Sequence, residues 1–199
     1  MLVDHNKESR DPITACELIP EYVRGMAGYN FLTLKRKYPD LKTLFPSQSH
    51  SELFKFLFTV AATAEGIMKV TNENPGSKRA NYFDAPVNYY TSNLEVFVDY
   101  QSFGSQEFKL NDSQESYFRQ ALWIYLSEMD THKDSKKHIS SALSLEEKAQ
   151  VSAYTTGIWI LTKMKADEIF LRKNYELATV IGHISIDLAV DVLEGKMPA

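Results

Sequence analysis

Glu65 stands inside the most apolar stretch of the chain, Ser51–Val70 (SELFKFLFTVAATAEGIMKV). A carboxylate at the edge of an apolar arc is partly desolvated. That raises its pKa and suits it to act as a general base or as a ligand anchor in a pocket. Lys69, one helical turn further on, opposes the rise and offers a plainer role, a boundary ion pair. The plainer role is the expectation, because charged residues at core edges commonly reach out to water.

The C-terminal segment places Glu176, Thr179, His183 and Asp187 on one polar side. His183 and Asp187 are a turn apart, so both could reach one metal ion or exchange a proton. Two ligands do not make a metal centre, and no HExxH pattern accompanies them. A solvated acidic face is expected there, with no metal and no other cofactor. His132 and His138 flank Lys133, Asp134, Lys136 and Lys137, whose positive charges repel a cation.

A third set mixes basic and aromatic side chains: Lys78, Arg79, Tyr82, Phe83, Tyr89 and Tyr90. Such a set can track phosphates and stack bases. It is also the composition of a protein–protein hot spot. It could equally pin a long loop to the core, the commoner fate of aromatic rings.

Familiar catalytic signatures are missing. The sequence has no glycine-rich phosphate loop, no GxSxG elbow and no CxxC pair. Cys16 is the only cysteine, which excludes an intramolecular disulfide and a multi-cysteine zinc centre and suits a reducing compartment. A net charge of −4 supplies no global pull toward nucleic acid or an anionic membrane.

These residues depend on the elements that carry them. Ser51–Val70 reads as a core helix, apolar around most of its circumference, with Glu52, Lys55, Thr59 and Thr63 as its polar stripe. Charge interrupts it too often for a membrane span. Before it, Asp11-Pro12 opens a helix that Pro20 limits to about Leu18. Pro20 then starts a second helix, Glu21–Tyr38, thin on one side at Gly25, Ala27 and Gly28 and ending on Lys35, Arg36 and Lys37. Asp40–His50 reads as a linker. After the turn at Asn72–Gly76 the chain shows no clean period up to about Asn93, so the basic and aromatic set is expected on a long loop. Leu94–Tyr100 alternates like a strand, and Phe103–Ser105 can turn it back, which predicts a β-hairpin.

Asp112–Glu115 resembles a capping box, and its helix is expected to end near Asp130, before a polar loop at Thr131–Ser141. Ser144–Glu147 is a fuller capping box that opens a helix to about Ile169. Ala149, Ala153 and Gly157 form a small-residue ridge on it, where another helix can come close. The last helix runs from about Leu171 to Glu194, with Gly195 just past its end.

The expected fold is therefore mainly α: a single helical domain of about five or six helices over 11–195, a flexible tail at 1–10, and one β-hairpin insertion at about 94–110. The expected function is a non-enzymatic cytoplasmic regulator or adaptor that binds another protein through Lys78, Arg79, Tyr82, Phe83, Tyr89 and Tyr90, and that can self-associate. One alternative is a DNA- or RNA-binding regulator using Lys35–Lys37 and Lys78-Arg79. Another is an enzyme or small-ligand receptor with a helical pocket near Glu65.

Overall fold

The protein is described here from a computed structural model, over residues 11–45, 47–94, 116–140 and 143–196. These residues form eight helices: α1 (Pro12–Lys37), α2 (Asp40–Leu44), α3 (Gln48–Glu73), α4 (Ala80–Asn93), α5 (Tyr117–Ser140), α6 (Leu145–Lys163), α7 (Glu168–Lys173) and α8 (Tyr175–Leu193). The tail expected at 1–10 and the capping box expected at 112–115 lie outside the described residues.

The core helix α3 is central, packed by α1, α4, α5, α6 and α8. It buries Leu53, Phe54, Phe56, Leu57, Phe58, Val60, Ala61, Ala64 and Ile67. A helix enclosed this way must also satisfy its polar side chains. Thr59 and Thr63, both fully buried, donate back to the carbonyls of Lys55 at 2.7 Å and Thr59 at 2.8 Å.

The mainly α class holds, but the hairpin and the helix count are corrected. No strand occurs among the described residues, and Leu94, the expected first strand residue, is the C-cap of α4. Positions 95–110 lie outside the described residues.

Several element boundaries also change, and the expected linker Asp40–His50 holds α2 and the first residues of α3. Pro20 lies inside one continuous α1. A mid-helix proline costs about 3 kcal/mol, but Cys16, Ile19, Val23, Ala27 and Phe31 bury one stripe running through it. The expected loop up to Asn93 contains α4, whose inward face is Tyr82, Pro86, Val87 and Tyr90. Pro86 and the Asn, Asp and Ser residues around it mask that period. α5 continues to Ser140, beyond the expected end near Asp130, because polar side chains mark solvent rather than a change of backbone. Finally, α6 ends at Lys163. Lys165 adopts φ 66°, while Lys165 N–H and Ala166 N–H donate to the carbonyls of Thr162 and Leu161. This is a Schellman stop made without glycine. The expected last helix is α7 and α8, parted at Asn174.

Three local expectations match. Asp11 caps α1, with Pro12 in its first turn. Ser144 and Glu147 form a reciprocal capping box on α6. Gly195, at φ 67°, closes α8. The ridge on α6 is where α8 docks. A Cβ added at Gly157 would stand 1.7 Å from the Ala178 carbonyl oxygen, and one added at Gly182 would stand 1.7 Å from that of Ala153. The helices are antiparallel and nearly backbone to backbone at these two crossings.

Candidate functional site

The basic and aromatic set is carried by α4 and the turn before it. The inward side chains are Tyr82 and Tyr90. Tyr90 is almost wholly buried. Its ring stacks on Phe118 of α5, with centroids 4.0 Å apart and planes at 8°. Arg24 of α1 donates to the Tyr90 hydroxyl at 2.7 Å.

The outward members divide between two neighbours. On the α1 side, Tyr89 donates to Glu21 at 2.6 Å. That hydrogen bond, then burial and the Glu21 charge, hold the Tyr89 phenol above its ordinary pKa. On the α5 side, Arg79 grips Asp130 with two nitrogens, at 2.5 and 3.0 Å. Arg119 pairs with Asp84 at 3.0 Å and lies over the Phe83 ring, 5.6 Å from its centroid. Lys78 is exposed.

Asp84, Arg119, Trp123 and Asp130 were missed on this face. Trp123, one turn after Arg119, leaves 64% of its surface in water. The sequence carried a signal for it. Phe118, Ala121, Leu122, Tyr125 and Met129 define the apolar stripe of α5, and a tryptophan at 123 falls off that stripe. The α4–α5 surface therefore presents an exposed indole beside two cross-helix arginine–carboxylate pairs. Such a surface can bind by burying an aromatic anchor within a charged rim.

The basic residues of the nucleic-acid alternative are spread out. Lys35 donates to the Phe45 carbonyl at 3.0 Å and lies over the Phe31 ring. Lys37 lies over Tyr38. Arg36 is exposed, at the far end of α1 from Asp11.

Glu65 faces α5 and α6. Its Oε1 accepts from the Tyr125 hydroxyl at 2.6 Å and from the Thr156 hydroxyl at 3.0 Å, and those two hydroxyls are 2.9 Å apart. One carboxylate oxygen thus joins three helices. Tyr125 is fully buried and meets Trp159 edge-on at 4.8 Å. Burial, then the Glu65 charge, push its phenol well above the ordinary range, so it is a neutral donor. Next along, Glu128 accepts from the Trp159 indole at 2.6 Å and from Lys163 at 3.1 Å. The expected Glu65–Lys69 pair is not the one formed: Lys69 binds Glu73 at 2.6 Å. Chemically the cluster is a set of satisfied donors and acceptors that ties α5 and α6 to α3.

His183 and Asp187 stand a turn apart on α8, and Glu176 accepts from Tyr38 at 3.3 Å. No group of three or more His, Cys, Asp or Glu residues gathers among the described residues. The side chains of His132 and His138 lie outside them. No described helix is long and apolar enough to cross a membrane.

No protein-family model matches this chain, and neither a curated protein nor a solved structure matches it significantly.

Proposed function

We propose that this chain is a non-enzymatic cytoplasmic regulator or adaptor that acts by binding another protein, and that it self-associates. The binding surface in this reading is the α4–α5 face, with Trp123 as anchor and Lys78, Arg79, Phe83, Asp84 and Arg119 around it. The observation that carries it is the exposure of Trp123 at 64%. Tryptophan left in water is unfavourable for a free chain, and it is the residue most enriched among side chains that dominate binding. Of the residues expected to bind, Tyr82 and Tyr90 serve by holding α4 in place. Phe83, Lys78 and Arg79 lie nearer the surface.

The test begins with affinity capture from the native host, using wild type and Trp123→Ala, with and without nuclease. Captured proteins are then purified and titrated against both forms. Weakening of more than about 1 kcal/mol by Trp123→Ala, at unchanged melting temperature, supports the reading. Capture abolished by nuclease, with affinity falling steeply as salt is added, points to nucleic acid and refutes it.

A further inference from the structure

The outward face of α1 has no role in the packing described so far. Tyr29 and Leu32 lie one turn apart on it, exposed at 68% and 58%. Leu18 and Tyr22 continue the same side toward the N-terminus, partly buried and packed at the edge of the core. Between these pairs sits Gly25. A Cβ there would meet nothing within 4 Å, whereas one at Gly28 would come 3.0 Å from the Lys55 side chain. Gly28 thus has an internal reason and Gly25 has none, although glycine inside a helix weakens it. An unexplained glycine beside two exposed large apolar residues marks a place where another backbone can approach.

Charge indicates what approaches. Glu17 and Glu21, the latter also accepting from Tyr89 of α4, stand in the N-terminal half of α1, and Arg36 and Lys37 at its C-terminal end. Arg36 makes no ion pair among the described residues. A helix acidic toward one end and basic at the other is complementary to a second copy of itself run antiparallel. The parallel arrangement would set like charges side by side.

We propose that α1 is a homodimer interface, two copies pairing antiparallel about a two-fold axis with Tyr29 of each lying over Gly25 of the other. In this register Leu32 meets Tyr22 of the partner, and Arg36 comes between the partner's Glu17 and Glu21. The contact is isologous, so every pairing occurs twice. From Glu17 to Arg36 it spans about 30 Å at a rise of roughly 1.5 Å per residue. A single helix pair is small beside specific interfaces of about 1,200–2,000 Å², so dimerisation is expected at micromolar chain concentrations. The proposal deepens the self-association included in the reading above. It does not involve Trp123, so its failure leaves the Trp123 surface standing.

Sedimentation equilibrium of the full chain, from about 1 to 200 µM, tests it across the range expected for a small interface. Mass should rise from 22.7 kDa toward twice that value. Leu32→Arg and Arg36→Glu should each raise the dimer dissociation constant by about tenfold or more. Gly25→Gln should do the same while raising the melting temperature, so its effect cannot come from unfolding. A charge-swapped chain carrying Glu17→Lys, Glu21→Lys and Arg36→Glu should dimerise again. A wild type that stays at 22.7 kDa throughout overturns the proposal. So does a dimer whose dissociation constant is unmoved by Gly25→Gln and Leu32→Arg.

Discussion

The same substitution, glycine to alanine, should have opposite effects at two places in this molecule. At Gly157 the new carbon would stand 1.7 Å from the Ala178 carbonyl oxygen, where an ordinary carbon–oxygen contact is roughly 3.3 Å. The neighbour is backbone and cannot rotate away, so α6 and α8 must separate by roughly 1.5 Å to restore such a contact. Separation also loosens the reciprocal crossing at Ala153 and Gly182 and the packing of Ile160, Leu161, Ala178 and Ile181, all fully buried. Overpacking of a dense interior costs about 1–3 kcal/mol and sometimes more, and the alanine returns about 1 kcal/mol of helix propensity. This is an overlap with fixed backbone, so the upper part of that range applies, and a net loss of about 2 kcal/mol or more is expected. For a domain of this size that is a fall in melting temperature of roughly 4–8 °C. At Gly25, where nothing lies within 4 Å, Gly25→Ala should stabilise the folded chain by about 0.4–1 kcal/mol. Urea unfolding followed by far-UV circular dichroism measures both, with low chain concentration to keep association out of the comparison. A Gly157→Ala protein as stable as wild type would refute the close α6–α8 approach.

Leu57→Ala should destabilise by about 2–5 kcal/mol, since Leu57 is fully buried at the centre of α3; a denaturant midpoint unchanged from wild type would contradict that placement. Tyr125→Phe removes one donor from the Glu65 carboxylate and should cost about 1–3 kcal/mol at neutral pH, read from the same unfolding curves. The raised phenol pKa of Tyr125 adds a pH dependence: folded and unfolded states bind the same proton below about pH 10, and above it the unfolded tyrosine ionises first. Wild-type stability should therefore fall as pH climbs past that point, and Tyr125→Phe should flatten the fall; an equal slope in both proteins would count against it. Burial, then the Asp11 charge, push the Cys16 thiol up to about 12, so a thiol-directed disulfide reagent at mild alkaline pH should label unfolded chain promptly and native chain orders of magnitude more slowly. Prompt labelling of native protein would show that the first turns of α1 open readily.

Part of the candidate surface was legible in the residues. Lys78 and Arg79 stand in the turn before α4 and Tyr82, Phe83, Tyr89 and Tyr90 on α4 itself, not on a long loop, with Tyr82 and Tyr90 turned inward and Tyr89 and Arg79 bonded to different helices. Pro86 and the surrounding Asn and Asp residues are poor helix formers, so local preference points away from the state that burial of Tyr82 and Tyr90 enforces. Trp123 could have been found from its place off the α5 stripe. Asp84 and Asp130 could not, because they acquire meaning only through Arg119 on α5 and Arg79 in the turn before α4. Glu65 was recognisable as a boundary carboxylate, yet its partners Tyr125 and Thr156 lie 60 and 91 positions away. No local pattern selects partners at such distances.

Helix caps and core stripes are written in neighbouring residues, and so the sequence by itself determined them. Asp11 before Pro12, the Ser144–Glu147 box, Gly195 after α8, the apolar run of α3 and the small-residue ridge on α6 each act within a turn or two. Tertiary structure alone decided whether a weak helix survives and which charges meet. It carried α1 through Pro20 and α4 through Pro86, because burial along a whole helix outweighs one missing hydrogen bond. It gave Glu65 hydroxyl partners from α5 and α6, and turned Trp123, Tyr29 and Leu32 to water. Those outcomes depend on which helix lies alongside, and that is set by the packing of the whole chain around α3.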